Sequence, residues 1–103
     1  MILVRDVMQV KWGQMDQVLA ALSTGLQNQP DSPIVSSVSR ILTDLTGAYF
    51  TLIMETKVES MDAYWENLRA AFSSEEPFEG NAMMEFIESG RREFYNIEYE
   101  AGA

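Results

Sequence analysis

From residue 2 to residue 12 apolar and polar side chains alternate with the two-residue period of a β-strand. One face carries Ile2, Val4, Asp6, Met8 and Val10; the other carries Leu3, Arg5, Val7, Gln9 and Lys11. Gly13 interrupts the pattern, and from Met15 the period lengthens. Met15, Val18, Leu19, Leu22 and Leu26 form a single apolar stripe at helical spacing. Turn formers and two prolines in residues 27–33 close that helix. Residues 34–43, rich in Val, Ile, Ser and Thr, predict a second strand, and residues 48–58 a third. The composition between them predicts a hairpin, and centring its turn on Leu45 and Thr46 sets Ile41 opposite Phe50 and Val38 opposite Ile53. A second helix follows, with the stripe Met61, Tyr64, Trp65, Leu68 and Phe72. Residues 92–100 alternate as a fourth strand. Before it, residues 73–90 form an insertion in which Pro77 opens a short helix and Met83, Phe86 and Ile87 are the buried candidates.

The order is strand, helix, strand, strand, helix, strand: the split βαβ plan of a ferredoxin-like α+β domain. The two halves repeat, because Met61 follows Met15 by 46 residues (61 − 15) and the same offset carries Val4 onto Phe50 and Met8 onto Met54. A chain of 103 residues suits one domain, residues 1–103, with no room for a second core. Right-handed crossovers put both helices on the same side of the sheet. The face with Val4, Met8, Val10, Phe50, Leu52 and Met54 suits them. The opposite face mixes Leu3, Val7, Tyr49, Ile53 and Val38 with Arg5, Gln9, Arg40, Thr51 and Glu55. It is too apolar for water and too charged for a closed core, so a homodimer joined sheet to sheet is expected, with Arg5 or Arg40 available to pair with Glu55.

Composition narrows the chemistry. The net charge is −9, from 16 acidic and 7 basic residues, which repels phosphate backbones and argues against nucleic acid as a partner. No apolar run approaches the ~20 residues of a membrane span, and Arg5 and Asp6 break the N-terminus too early for a signal peptide. A cytoplasmic location without membrane partners is the expectation. Cysteine and histidine are both absent. That removes thiolate sites, the usual zinc ligand, the usual proximal haem ligand and the commonest general base. Glu75, Glu76, Glu79, Glu85 and Glu88 match no coordination spacing and read as a solvated acidic face. No metal and no cofactor are expected.

Several segments carry a family resemblance: the Trp12-Gly13 lead into the first helix, the hairpin Leu42-Thr43-Asp44-Leu45-Thr46-Gly47, and Glu88-Ser89-Gly90-Arg91-Arg92-Glu93-Phe94-Tyr95 before the last strand. With the order of elements, they resemble the dimeric α+β barrel superfamily, most of all its NIPSNAP-like branch and more distantly the antibiotic-biosynthesis monooxygenase domains. The resemblance implies a homodimeric barrel with a pocket in each subunit between sheet and helices. In the monooxygenase relatives a first-strand Asn and a second-helix Trp line that pocket. Asp6 and Trp65 match those positions, with Tyr64 one residue away. Here the first-strand residue is Asp, and no histidine exists to ligate haem, so haem degradation is not expected.

Asp6 is the sharpest single residue, the one charge on the helix-facing side of the first strand. A carboxylate there must be paired or open to a cavity. It is either a substrate anchor or general base, or a structural group paired with an arginine such as Arg92. Asp6, Tyr64, Trp65 and Arg92 are therefore the candidate binding residues, with Asp6 the candidate for catalysis. Two functions follow: binding of a small apolar or aromatic molecule, or cofactor-independent oxygenation of an aromatic or polyketide-like substrate.

Overall fold

The alternation that opens the chain becomes β1, Ile2–Val10, and the first stripe becomes α1, Met15–Asn28. The computed structural model describes residues 1–33, 35–73 and 78–102. After α1, a 3-10 turn at Val35–Ser37 leads into β2, Val38–Thr43, then β3, Thr51–Val58, and α2, Met61–Ser73. A 3-10 helix, Glu79–Phe86, precedes β4, Ile87–Asn96. The four strands form one sheet in the order β2-β3-β1-β4, and each neighbouring pair is antiparallel. This is the ferredoxin-like α+β arrangement with an extra short helix before the last strand.

Several boundaries differ from the sequence reading, and the last strand ends at Asn96 rather than residue 100. The hairpin turn is wider than a tight one, because β3 starts only at Thr51. Its two ends are tied by Asp44 Oδ1, which accepts the Thr51 N–H at 2.9 Å, and Thr51 Oγ1 donates to the Ala48 carbonyl at 2.9 Å. Ile41 consequently faces Met54 rather than Phe50, and a bulge between Val38 and Arg40 turns Val38 to the helix side opposite Thr56. β4 begins at Ile87 rather than residue 92, since Ile87 and the run from Ser89 to Asn96 find partners on β1, with a register shift at Glu88. The second strand begins at Val38; Ile34 lies outside the described residues, as do Glu75, Glu76 and Pro77.

The core lies between sheet and helices in two parts. Under α1 and the 3-10 helix, Met8, Val10, Val18, Leu22, Leu52, Phe78 and Met83 pack together. Under α2 the cluster is smaller: Val4, Val58 and Tyr64, with Ile2, Met61 and Leu68 at its margin. Close contact between α1 and the insertion depends on glycine. A Cβ on Gly25 would come within 2.5 Å of the Phe78 ring, so only hydrogen fits. On the opposite face of the sheet, Glu55 is paired with both Arg5 and Arg40 inside one chain, without help from a partner.

Candidate functional site

Between the two core clusters lies a cavity of about 860 Å³. Its floor is the helix-facing side of the sheet: Val4, Asp6 and Met8 from β1, and Met54, Thr56 and Val58 from β3. Its roof comes from α1, α2 and the 3-10 helix, through Leu22, Leu68, Ala71, Phe78 and Met83. Exposed lining residues, Phe72, Met84 and Glu88, mark a mouth beside β4, one of the two edge strands. The wall is mainly apolar, and toward β4 it carries a polar trio.

That trio is set by register. Asp6 faces Arg92 across the β1–β4 pair, so both side chains rise from the same side of the sheet. Arg92 Nε donates to Asp6 Oδ1 at 2.5 Å, and Arg92 Nη1 donates to the Tyr64 hydroxyl oxygen, also at 2.5 Å. Tyr64 hangs from α2 with its ring edge-on to Phe94, centroids 5.3 Å apart, and with the guanidinium 5.7 Å from its centre. Burial pushes the Tyr64 phenol above its ordinary value of 10.0, against the opposing charge of Arg92. Burial alone would lower the Arg92 guanidinium, but its hydrogen bond to Asp6 and the Asp6 charge outweigh that and hold it above its usual value. Tyr64 is thus a neutral phenol whose oxygen already accepts a bond and whose O–H has no acceptor among the described residues. Asp6, its side chain 14 % exposed, has Oδ2 left without a donor among the described residues. One acceptor and one donor therefore stand on the β4 side of a mainly apolar chamber.

Three of the four residues singled out by sequence meet here: Asp6, Tyr64 and Arg92. Trp65 does not. It is 48 % exposed, outside the cavity, and its ring stands edge-on against Tyr64. α2 turns Tyr64, Asn67, Leu68 and Ala71 inward, rotated from the stripe that the largest apolar residues suggest. Asn67 Nδ2 donates to Ser37 Oγ at 3.2 Å, adding a polar contact on the wall. Phe78 was not singled out, because it has no periodic apolar neighbours; its signal was the pair Gly25 and Gly80, both in reach of one ring.

Solved structures share this arrangement across nearly the whole chain. A NIPSNAP family protein from Agrobacterium tumefaciens superposes with a TM-score of 0.76 at 15 % identity, over 99 % of this chain and 98 % of its own. This is the fold of the NIPSNAP proteins. A NIPSNAP domain protein from Burkholderia xenovorans gives 0.72 at 10 % identity, over 100 % and 98 % of the two chains. A protein of Nitrosomonas europaea assigned to the antibiotic biosynthesis monooxygenases gives 0.67 at 11 %, over 96 % and 100 %. At such identities the NIPSNAP and monooxygenase likeness is one of fold. No protein-family model and no curated protein sequence matches the chain. Among the described residues no helix is long and apolar enough to cross a membrane, and no cluster of acidic side chains is placed to hold a metal ion.

Proposed function

We propose that this chain binds a small apolar or aromatic molecule in the cavity between sheet and helices, as a homodimer joined through the open sheet face. The observation that carries the reading is the Asp6–Arg92–Tyr64 trio in a mainly apolar chamber of about 860 Å³. Sites for small molecules have that size and that ratio of greasy wall to a few convergent polar groups. Asp6 Oδ2 would accept a ligand hydroxyl and the Tyr64 O–H would donate to a ligand oxygen. 1-Naphthol, an apolar bicycle with one phenol, is the test probe. Calorimetry is expected to give one site per chain in the wild type, weaker binding in Asp6→Ala, and none in Ala71→Trp, which fills the roof. Equal binding by Ala71→Trp would overturn the reading.

A second reading is favoured by the same pair of groups. A carboxylate oxygen beside a neutral phenol donor can take the proton of a phenolic substrate and steady the resulting anion, which is the arrangement needed where the substrate itself reacts with dioxygen. Such cofactor-independent oxygenation also fits a fold shared with the Nitrosomonas europaea protein. Oxygen uptake with a panel of quinols is then expected in the wild type and lost in Asp6→Ala. Identical uptake by the two proteins would end the enzymatic reading and leave the binding one.

A further inference from the structure

The chamber carries a second polar pair on the side away from β4. Thr56 of β3 stands diagonally across from Asp6, since Asp6 faces Met54 and Thr56 lies two residues further on. Such diagonal neighbours share a side of the sheet and lie about 7–8 Å apart. Asn67 follows Tyr64 by three residues on α2, so the two emerge from one helix face. All four residues line the chamber. The amide of Asn67 has a fixed sense. Ser37 Oγ donates to the Pro33 carbonyl at 3.4 Å, so toward Asn67 it accepts, and Asn67 Nδ2 donates to it at 3.2 Å. Asn67 Oδ1 and the Thr56 hydroxyl are left with no hydrogen-bond partner among the described residues. Thr56, Asn67 and Ser37 are half-buried, whereas the polar lining residues near the mouth, Asn81, Glu88, Ser89 and Arg91, are exposed to water.

We propose that the chamber takes a double-ended ligand, a neutral aromatic molecule with a hydroxyl at each of two opposite ends. The proposal rests on the ligand chamber proposed above and adds a second anchoring subsite, Thr56 with Asn67. One hydroxyl bonds Asp6 Oδ2 and the Tyr64 O–H; the other donates to Asn67 Oδ1 and accepts from Thr56. Each subsite thus offers one acceptor and one donor, the complement of a hydroxyl. Between them the other diagonal of the floor is Val4 and Met54, an apolar strip for the ring system. The separation of the two subsites is comparable with that of two oxygens at opposite ends of a bicyclic ring. No net charge faces the ligand at either end, because Asp6 is paired with Arg92 and the second subsite is uncharged. A carboxylate or an ammonium is therefore a poorer fit than a hydroxyl. A ligand with a single polar end would cover Thr56 and Asn67 with apolar surface and leave them unpaired, which costs affinity.

Probes that differ only in hydroxyl placement test this by calorimetry on the wild-type protein. They are 2-naphthol, naphthalene-2,6-diol with its hydroxyls at opposite ends, and naphthalene-2,3-diol with both at one end. The opposite-ended diol is expected to bind about tenfold tighter than 2-naphthol, the effect of one or two net hydrogen bonds and more than two equivalent orientations supply. The same-ended diol should not share that gain. Thr56→Val, which keeps the side-chain shape, and Asn67→Ala are each expected to reduce the advantage of the opposite-ended diol over 2-naphthol. Equal binding of those two probes by the wild type, or an equal gain by the same-ended diol, overturns the second subsite and leaves the chamber standing. An advantage that survives in both variants overturns its assignment to Thr56 and Asn67. If none of the three probes binds, the chamber falls with it. Should Asn67→Ala fail to fold by circular dichroism, Thr56→Val and the wild-type series decide the matter.

Discussion

A single carboxylate among apolar neighbours on β1 organises the site, and its partners decide what it can do. Arg92 occupies one Asp6 oxygen and the Tyr64 oxygen at once, so removing a single atom disturbs the whole trio. Tyr64→Phe is expected to lower stability by about 1 kcal/mol, the size of one lost hydrogen bond. It should also change the alkaline limb. The folded Tyr64 phenol sits above the unfolded value of 10.0, so its protonated form is the one the fold favours. That contribution is complete below pH 10.0 and disappears as pH rises through the folded value. Thermal melts from neutral to strongly alkaline pH should therefore fall more steeply in the wild type than in Tyr64→Phe; parallel curves would contradict the assignment. Asp6 was legible in the sequence because a period of two placed one charge on an apolar face. Tyr64 and Trp65 were not separable by that means. Hydrophobicity centres a helical stripe on its bulkiest members, whereas α2 turns Tyr64 inward and leaves Trp65 48 % exposed.

At the scale of elements, the strand and helix periods gave the order of parts, and local ties set their limits. The hairpin is the clearest case. Its composition announced a turn, but the Asp44 and Thr51 hydrogen bonds and the left-handed backbone at Gly47 and Phe50 make a loop wide enough to shift the pairing. Ile41 keeps its side of the sheet because the shift is by an even number of residues; only the bulge at β2 sends Val38 across. The insertion was visible as a break in the repeat, yet its anchor was not. Phe78 fills the space between Gly25 on α1 and Gly80 on the 3-10 helix. Phe78→Ala is expected to cost about 3–5 kcal/mol in chemical denaturation, as for other buried phenylalanines. Gly25→Ala, which adds one methyl against that ring, should cost about 1–3 kcal/mol from overpacking. A neutral Gly25→Ala would show that α1 and the insertion are less tightly apposed than described.

The whole molecule presents two unlike sides of one sheet. The helix side closes over a chamber with a donor and an acceptor toward its β4 side, and the other side carries Arg40, Glu55, Arg5 and Glu93 in one row. These sides are independent: Ala71→Trp, in the chamber roof, leaves the open face intact. The chain's seven methionines offer a direct view of the first side. Met8, Met54, Met83 and Met84 line the chamber, whereas Met1, Met15 and Met61 do not. A titration with 1-naphthol followed through ¹³C-labelled methionine methyl resonances should move the four lining signals together and leave the other three in place. Movement confined to Met1, Met15 or Met61, or no movement at saturating probe, would contradict a ligand chamber beneath the helices.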